Sequence, residues 1–240
     1  MKNPPSIKHL LLLIVLPPVL CSCGEDDEPK IFYDEGLVTI AEYLEDYQEK
    51  YSSFYEIMVR GEMRDPLSAY NPAGTGFTLF LPTDEAFQEY INENDKYESI
   101  EALMQDNEFI RVLGRYHVVN SMMETNEFPY GALPDTTITG DYLTIGFSSS
   151  LDSTIYKVNN YAPVVEANLE MTNGFVHVIG KVLQPVNYTG YQKLSETEGY
   201  SMLSQALEIT GLKDTLGLYR TSDKGLVIPN KYTLFAEHDS

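Results

Sequence analysis

The run Phe77-Thr78-Leu79-Phe80-Leu81-Pro82-Thr83-Asp84-Glu85-Ala86-Phe87 constrains this chain more than any other stretch. Thr78 to Leu81 is a short apolar run that suits a buried strand. Pro82 has no N–H to give a sheet ladder, so the strand stops there. Thr83 is a good helix N-cap, and Asp84 and Glu85 follow in the first turn, where the helix dipole favours acids. Ala86, Phe87, Tyr90 and Ile91 then supply the buried stripe of that helix. A second copy of the strand begins at Tyr232-Thr233-Leu234-Phe235-Ala236, 155 residues after Phe77. That interval is the size of a domain rather than of a solenoid repeat. The sequence therefore predicts one complete module and the opening of another.

The surrounding chain gives the module its class. Thr39 with Glu42 three residues on reads as a capping box, and Ile40, Leu44, Tyr47 and Tyr51 fall on one helical face. Ser53 and Glu56 predict a second capping box, with a helix running to about Glu62. Asp65-Pro66 and Asn71-Pro72-Ala73-Gly74 are loop chemistry. Ser99–Met104 and Asn107–Tyr116 read as two more helical pieces. From Tyr116-His117-Val118-Val119 onward the pattern turns extended. β-rich runs follow at 136–139, 143–147, 154–158, 164–169 and 175–183, with turn signals at Gly140-Asp141 and Asn173-Gly174. Helices first and strands afterwards argue for an α+β fold rather than a parallel βαβ sheet. Pro185 closes the unit. Residues 187–197 are polar and contain Gly190, and so read as a linker. Tyr200 to Leu212 is again an amphipathic helix, the counterpart of the one near Phe54.

Three segments in one order carry a family resemblance. The Thr78–Phe87 run resembles the first box of the fasciclin domain family. Leu113-Gly114-Arg115-Tyr116-His117-Val118-Val119 resembles its Tyr-His motif, and Asn173-Gly174-Phe175-Val176-His177-Val178-Ile179-Gly180-Lys181-Val182-Leu183-Gln184-Pro185 resembles its second box. The resemblance covers about residues 37–186, with a partial second copy at 198–240. It implies a wedge of N-terminal helices packed on a mostly antiparallel β-sandwich, used outside the cell for adhesion or binding, often in tandem. It also implies a partner-binding role for Tyr116 and His117. Gly180 departs from the family, which often has Asp there. The second copy has the strand but lacks the Tyr-His motif and the second box, so it is expected to be a truncated start of a domain that docks poorly.

The N-terminus predicts how such a module would be held. Lys2 and Lys8 precede an apolar run from Leu10 to Leu20, broken by Pro17 and Pro18. The run is too short to span a bilayer and suits a signal peptide over 1–22. Leu20-Cys21-Ser22-Cys23 resembles a bacterial lipobox, with Cys23 as the lipidated residue. The acidic stretch Gly24-Glu25-Asp26-Asp27-Glu28 lies in a tether over 23–36, and resembles the export signal of surface lipoproteins in the Bacteroidetes. Both cysteines of the chain sit at this site, which leaves no disulfide or zinc framework for the folded part. The expected location is the cell envelope, at the outer membrane through the N-terminal lipid.

Charge and residue chemistry bound the function. The formal charge is −20, from 16 Lys+Arg against 36 Asp+Glu, which argues against nucleic acid as a partner. Eighteen tyrosines and no tryptophan favour recognition surfaces as well as helical cores. The sequence contains no nucleophile elbow, His-Glu-x-x-His, P-loop or dinucleotide fingerprint, and no cofactor or metal is expected. His117 and His177 are flanked by valines, so they read as buried, hydrogen-bonded side chains with Asp84 as a partner. The expectation is a non-catalytic module that binds an extracellular protein or glycan. An accessory subunit of an outer-membrane uptake complex is the alternative. A hydrolase built on Asp84, His117 and His177 is a third reading, and it requires those side chains to converge on an open pocket.

Overall fold

The computed structural model describes residues 36–69, 76–150, 153–186, 188–222 and 225–239. The leader, Cys23 and the acidic stretch after it lie outside the described residues. Three helices come first: α1 (Ile40–Asp46), α2 (Gln48–Arg60) and α3 (Arg64–Ser68). Strand β1 (Phe77–Pro82) leads into α4 (Asp84–Asn92), α5 (Ile100–Gln105) and α6 (Asn107–Tyr116). The strands β2 (Val118–Val119), β3 (Gly131–Ala132), β4 (Thr144–Ser150), β5 (Ser153–Val158), β6 (Ala162–Met171) and β7 (Gly174–Ile179) complete the first module.

Local chemistry fixes the helix starts. Thr39 and Glu42 form the expected capping box on α1, and the Thr83 side chain accepts from the Ala86 amide at the start of α4. Ser99 and Asp106 cap α5 and α6 in the same way. The expected capping box at Ser53 is absent. Tyr51 instead breaks the helical path inside α2, at φ −133° and ψ 33°, and the amides freed there are capped by Asp84 from another element.

Among the described residues, seven strands form one sheet in the order β2-β1-β7-β6-β5-β4-β3. The sheet is mostly antiparallel, but β1 and β7 run parallel, from Phe77 opposite Gly174 to Pro82 opposite Ile179. These two strands are buried along their whole length, which explains their near-continuous apolar sequences. Alternation sorts their side chains between the two faces. Leu79, Leu81, Val176 and Val178 pack toward the helices, with Phe54, Ile57, Phe87 and Leu113. Phe80 and Ile179 pack on the other face with Phe128, Leu143, Ile145 and Val158.

Asn173 pins the module's first helices to the turn before β7. Its Oδ1 accepts from the Ile40 amide, and its Nδ2 donates to the carbonyls of Leu67 and Ala69. One residue thus serves the start of α1 and the end of α3. The sequence offered only an Asn-Gly turn signal here. Strand β6 carries register shifts on either side of Glu166, and Asn168 sits at φ 59°.

Several extents differ from expectation. Tyr116 ends α6 and His117 is its C-cap, so the extended segment starts only at Val118. Strand β7 stops at Ile179 rather than continuing to Leu183. The expected linker contains α7 (Gly190–Glu196), because Thr189 and Gln192 form a capping box that composition alone hid. Beyond it lie α8 (Ser201–Ile209), α9 (Leu212–Leu216) and a hairpin of β8 (Tyr219–Thr221) and β9 (Val227–Pro229). This segment meets the first module through Lys231, which pairs with Asp141 at 2.7 Å and donates to the Gly140 carbonyl.

Candidate functional site

Asp84 opens α4, yet its carboxylate faces α2. Oδ2 accepts from the Ser52 amide at 3.0 Å and the Ser52 hydroxyl at 2.6 Å, and Oδ1 accepts from the Ser53 amide at 2.9 Å. One negative charge therefore sits at the start of α4 and at the restart of α2 after the Tyr51 kink, both favourable positions. The expected pairing of Asp84 with a histidine is not made; both of its oxygens are bonded to Ser52 and Ser53 instead. Asp84→Ala is expected to cost about 2 kcal/mol, as loss of a charged cap with three donors. Asp84→Asn, which keeps one acceptor oxygen, should cost about half as much. Thermal unfolding followed by circular dichroism measures both.

His117 is fully buried at the end of α6. Its Nε2 accepts the Leu183 amide at 3.0 Å, so the ring proton lies on Nδ1 and is donated to the Leu113 carbonyl at 2.8 Å. The ring edge meets Phe54, on the helical face of the sheet. Burial lowers its pKa to about 4. A second proton would also face the Leu183 N–H, so the geometry and the titration agree on a neutral ring.

His177 has the opposite tautomer. Its Nδ1 accepts the Asn168 amide at 3.1 Å, and Nε2–H donates to the Met123 carbonyl at 3.0 Å. Burial again lowers its pKa. The ring packs against Phe80 and Phe128, on the face away from the helices. It satisfies the amide of the left-handed Asn168 in β6, and Asn168 in turn bonds the backbone and hydroxyl of Thr125. Tyr116 is buried, and its hydroxyl accepts from Asn159, which also accepts the Thr144 amide.

These placements decide the chemistry. His117 and His177 lie on opposite faces of the sheet, and Asp84 is bonded to α2. The three do not converge on a pocket, which removes the basis of a hydrolase assembled from them. In this conformation Tyr116 and His117 are buried, and His117 offers a partner no surface to touch.

A cluster of aromatic rings reaches the surface elsewhere. Tyr130 is 83% exposed and stacks on Phe147 at 6.0 Å between ring centres, with 26° between the planes. Phe147 meets Tyr156 edge-on at 5.3 Å, and Tyr156 meets the buried Phe128 at 5.8 Å. A ladder of rings thus runs from the core beside His177 to the surface of β4 and β5. Sequence reasoning missed it because Phe128 and Tyr130 lie in the loop before β3, and Phe147 and Tyr156 meet only through the pairing of β4 with β5.

The Fasciclin domain model matches residues 49–185, which spans the segments that build the sheet and its helical cover. The chain is 26% identical over 179 residues to human periostin, covering 72% of this chain and 20% of that protein. It is 34% identical over 111 residues to the pig transforming growth factor-beta-induced protein ig-h3, covering 45% of this chain and 14% of that protein. A solved fasciclin domain pair from the insect cell adhesion molecule fasciclin I aligns with 70% of this chain and 56% of its own, at 20% identity and a TM-score of 0.43. The chain therefore spans a fifth or less of the length of these two curated relatives. With a family model matched from the kinked helix α2 through to the close of the second box, the chain belongs to the fasciclin domain family.

Proposed function

We propose that this chain is an adhesion-type binding module without catalytic turnover, held at the cell envelope by lipid on Cys23 and presenting its sheet to an extracellular protein or glycan. The observation that carries the reading is that His117 and His177 are buried on backbone partners and that half-buried Asp84 is bonded to Ser52 and Ser53, so the three do not meet. Membership of the fasciclin domain family supports an adhesion-type role. The exposed Tyr130–Phe147 stack supplies a surface suited to a flat apolar contact with polar rims, as a sugar ring or a protein side chain provides.

Binding of the purified chain to immobilised matrix proteins and polysaccharides tests this. Tyr130→Ala is expected to weaken the productive interaction by about tenfold, because an exposed aromatic anchor contributes at least about 1.4 kcal/mol. The exposed ring should leave the unfolding midpoint unchanged. Absence of binding across both ligand classes would remove the adhesion reading. Anchoring is tested separately by metabolic labelling with palmitate. Label is expected on the native chain and lost in Cys23→Ala.

A further inference from the structure

Asn173-Gly174 is the only Asn-Gly pair in the chain. It stands at the turn between β6 and β7, and the fold dictates both residues. Position 173 needs a side chain that accepts from the Ile40 amide and donates to the carbonyls of Leu67 and Ala69. An amide does both, whereas a carboxylate only accepts. Position 174 tolerates no Cβ, which would stand 2.0 Å from the Phe77 carbonyl oxygen. The same two residues form a dipeptide open to intramolecular attack, because glycine has no side chain to hinder the approach of its own nitrogen.

In the folded chain that attack is blocked. Asn173 is 3% exposed and Gly174 is buried. Three hydrogen bonds fix the plane of the side-chain amide, and the Asn173 carbonyl accepts from the Phe77 amide at 2.9 Å. Gly174 is itself held in register between Phe77 of β1 and Met171 of β6. Closing a ring between the two residues requires turning the amide off its three partners and admitting water. Both demands need the turn to open.

We propose that Asn173-Gly174 is a latent self-modification site, silent while β1 and β7 are paired and active whenever they part. In the open chain the Gly174 nitrogen attacks Asn173 Cγ and gives its proton to solvent. The new C–N bond closes a five-membered succinimide, the Cγ–Nδ2 bond breaks, and the nitrogen takes up a proton and leaves as ammonia. Water then opens the ring at either carbonyl, leaving aspartate or isoaspartate at 173. One water is consumed, one ammonia is released, and nothing is oxidised or reduced. Neither product rebuilds the turn. Aspartate sets a carboxylate against the carbonyls of Leu67 and Ala69 in a buried site, with no proton to give either. Isoaspartate lengthens the main chain by one carbon just where Gly174 meets Phe77, which throws β7 out of register with β1. An opening that outlasts this chemistry therefore becomes irreversible.

Peptide mapping by mass spectrometry tests this on the purified full chain, incubated at one pH and temperature with and without denaturing urea. In urea, the peptide carrying Asn173-Gly174 is expected to convert from the amide to the acid, with isoaspartate among the products. Without urea the rate should be slower by about a hundredfold or more, and it should rise in step with the unfolded fraction at intermediate urea. Chains converted in urea should fail to regain the native unfolding transition on dilution, while unconverted chains from the same pool regain it. Gly174→Ala, held in urea where folding plays no part, should slow conversion by about tenfold or more. Asn173→Asp makes one product directly and should lower the unfolding midpoint or prevent folding. Equal rates with and without urea, no conversion in urea, or converted chains that refold to the native midpoint would overturn the proposal. So would an Asn173→Asp chain as stable as the native one.

Discussion

Replacing His117 with alanine is expected to destabilise the first module by about 4 kcal/mol. The substitution strands the Leu183 amide and the Leu113 carbonyl in a buried site, at about 1–3 kcal/mol each, and leaves a cavity beside Phe54. His117→Phe restores most of the volume but neither hydrogen bond, so it should recover only part of the loss. Urea unfolding of the two variants separates packing from polar satisfaction. A loss below about 1 kcal/mol for alanine would mean that the two backbone groups find other partners.

The same residue makes stability depend on pH. Its folded pKa of about 4 lies below the ordinary 6.5, so the unfolded chain binds the proton more readily. The contribution is fully present above about pH 6.5 and is lost as pH falls toward 4, amounting to about 3 kcal/mol. His177 adds a slope of the same sign, because its pKa is also lowered by burial. Unfolding free energy measured from pH 7 to pH 4 should fall steeply in the native chain and less steeply in His117→Phe.

Gly174→Ala is expected to be as damaging, at about 3–4 kcal/mol or outright failure to fold. Gly174 opens β7 directly opposite Phe77. A Cβ there would stand 2.0 Å from the Phe77 carbonyl oxygen and 2.8 Å from its carbon. Both are backbone atoms of a fully buried strand and cannot swing aside as a side chain could. The parallel ladder would have to open at the end where Asn173 also holds α1 and α3. Gly146→Ala, by contrast, would meet the Asn160 side-chain amide, which can move, and should cost less. Soluble yield and denaturant midpoints of the two alanine variants test the contrast.

Elements whose code is local were readable in the sequence. The Thr39 box, the Thr83 cap, Pro82 as a strand end and the amphipathic α6 depend on neighbours within four residues, and all lie where expected. Features whose partners are distant in sequence were not readable. Ser53 and Glu56 have capping-box spacing, but the cap at that bend comes from Asp84. Asn173-Gly174 signals a turn, while its physical demands are three hydrogen bonds to α1 and α3 and a close backbone approach to β1. The valine-flanked histidines were legible as buried, but their backbone partners were not. Residues 187–197 read as a linker because polar composition outweighed a single Thr-x-x-Gln signal.

The parallel β1–β7 ladder also has a kinetic consequence. β1 is made early and its main partner is the last strand of the module, so closing the sheet joins Phe77 to Gly174, 97 residues apart in the chain. Such long-range closure pays its loop entropy before any contact rewards it, and slows folding relative to a local topology. A chain emerging vectorially from a ribosome can form α1 to α6 but cannot complete the β1–β7 ladder until Ile179 has appeared. The β1–β7 ladder can therefore close only once the final strand has been made.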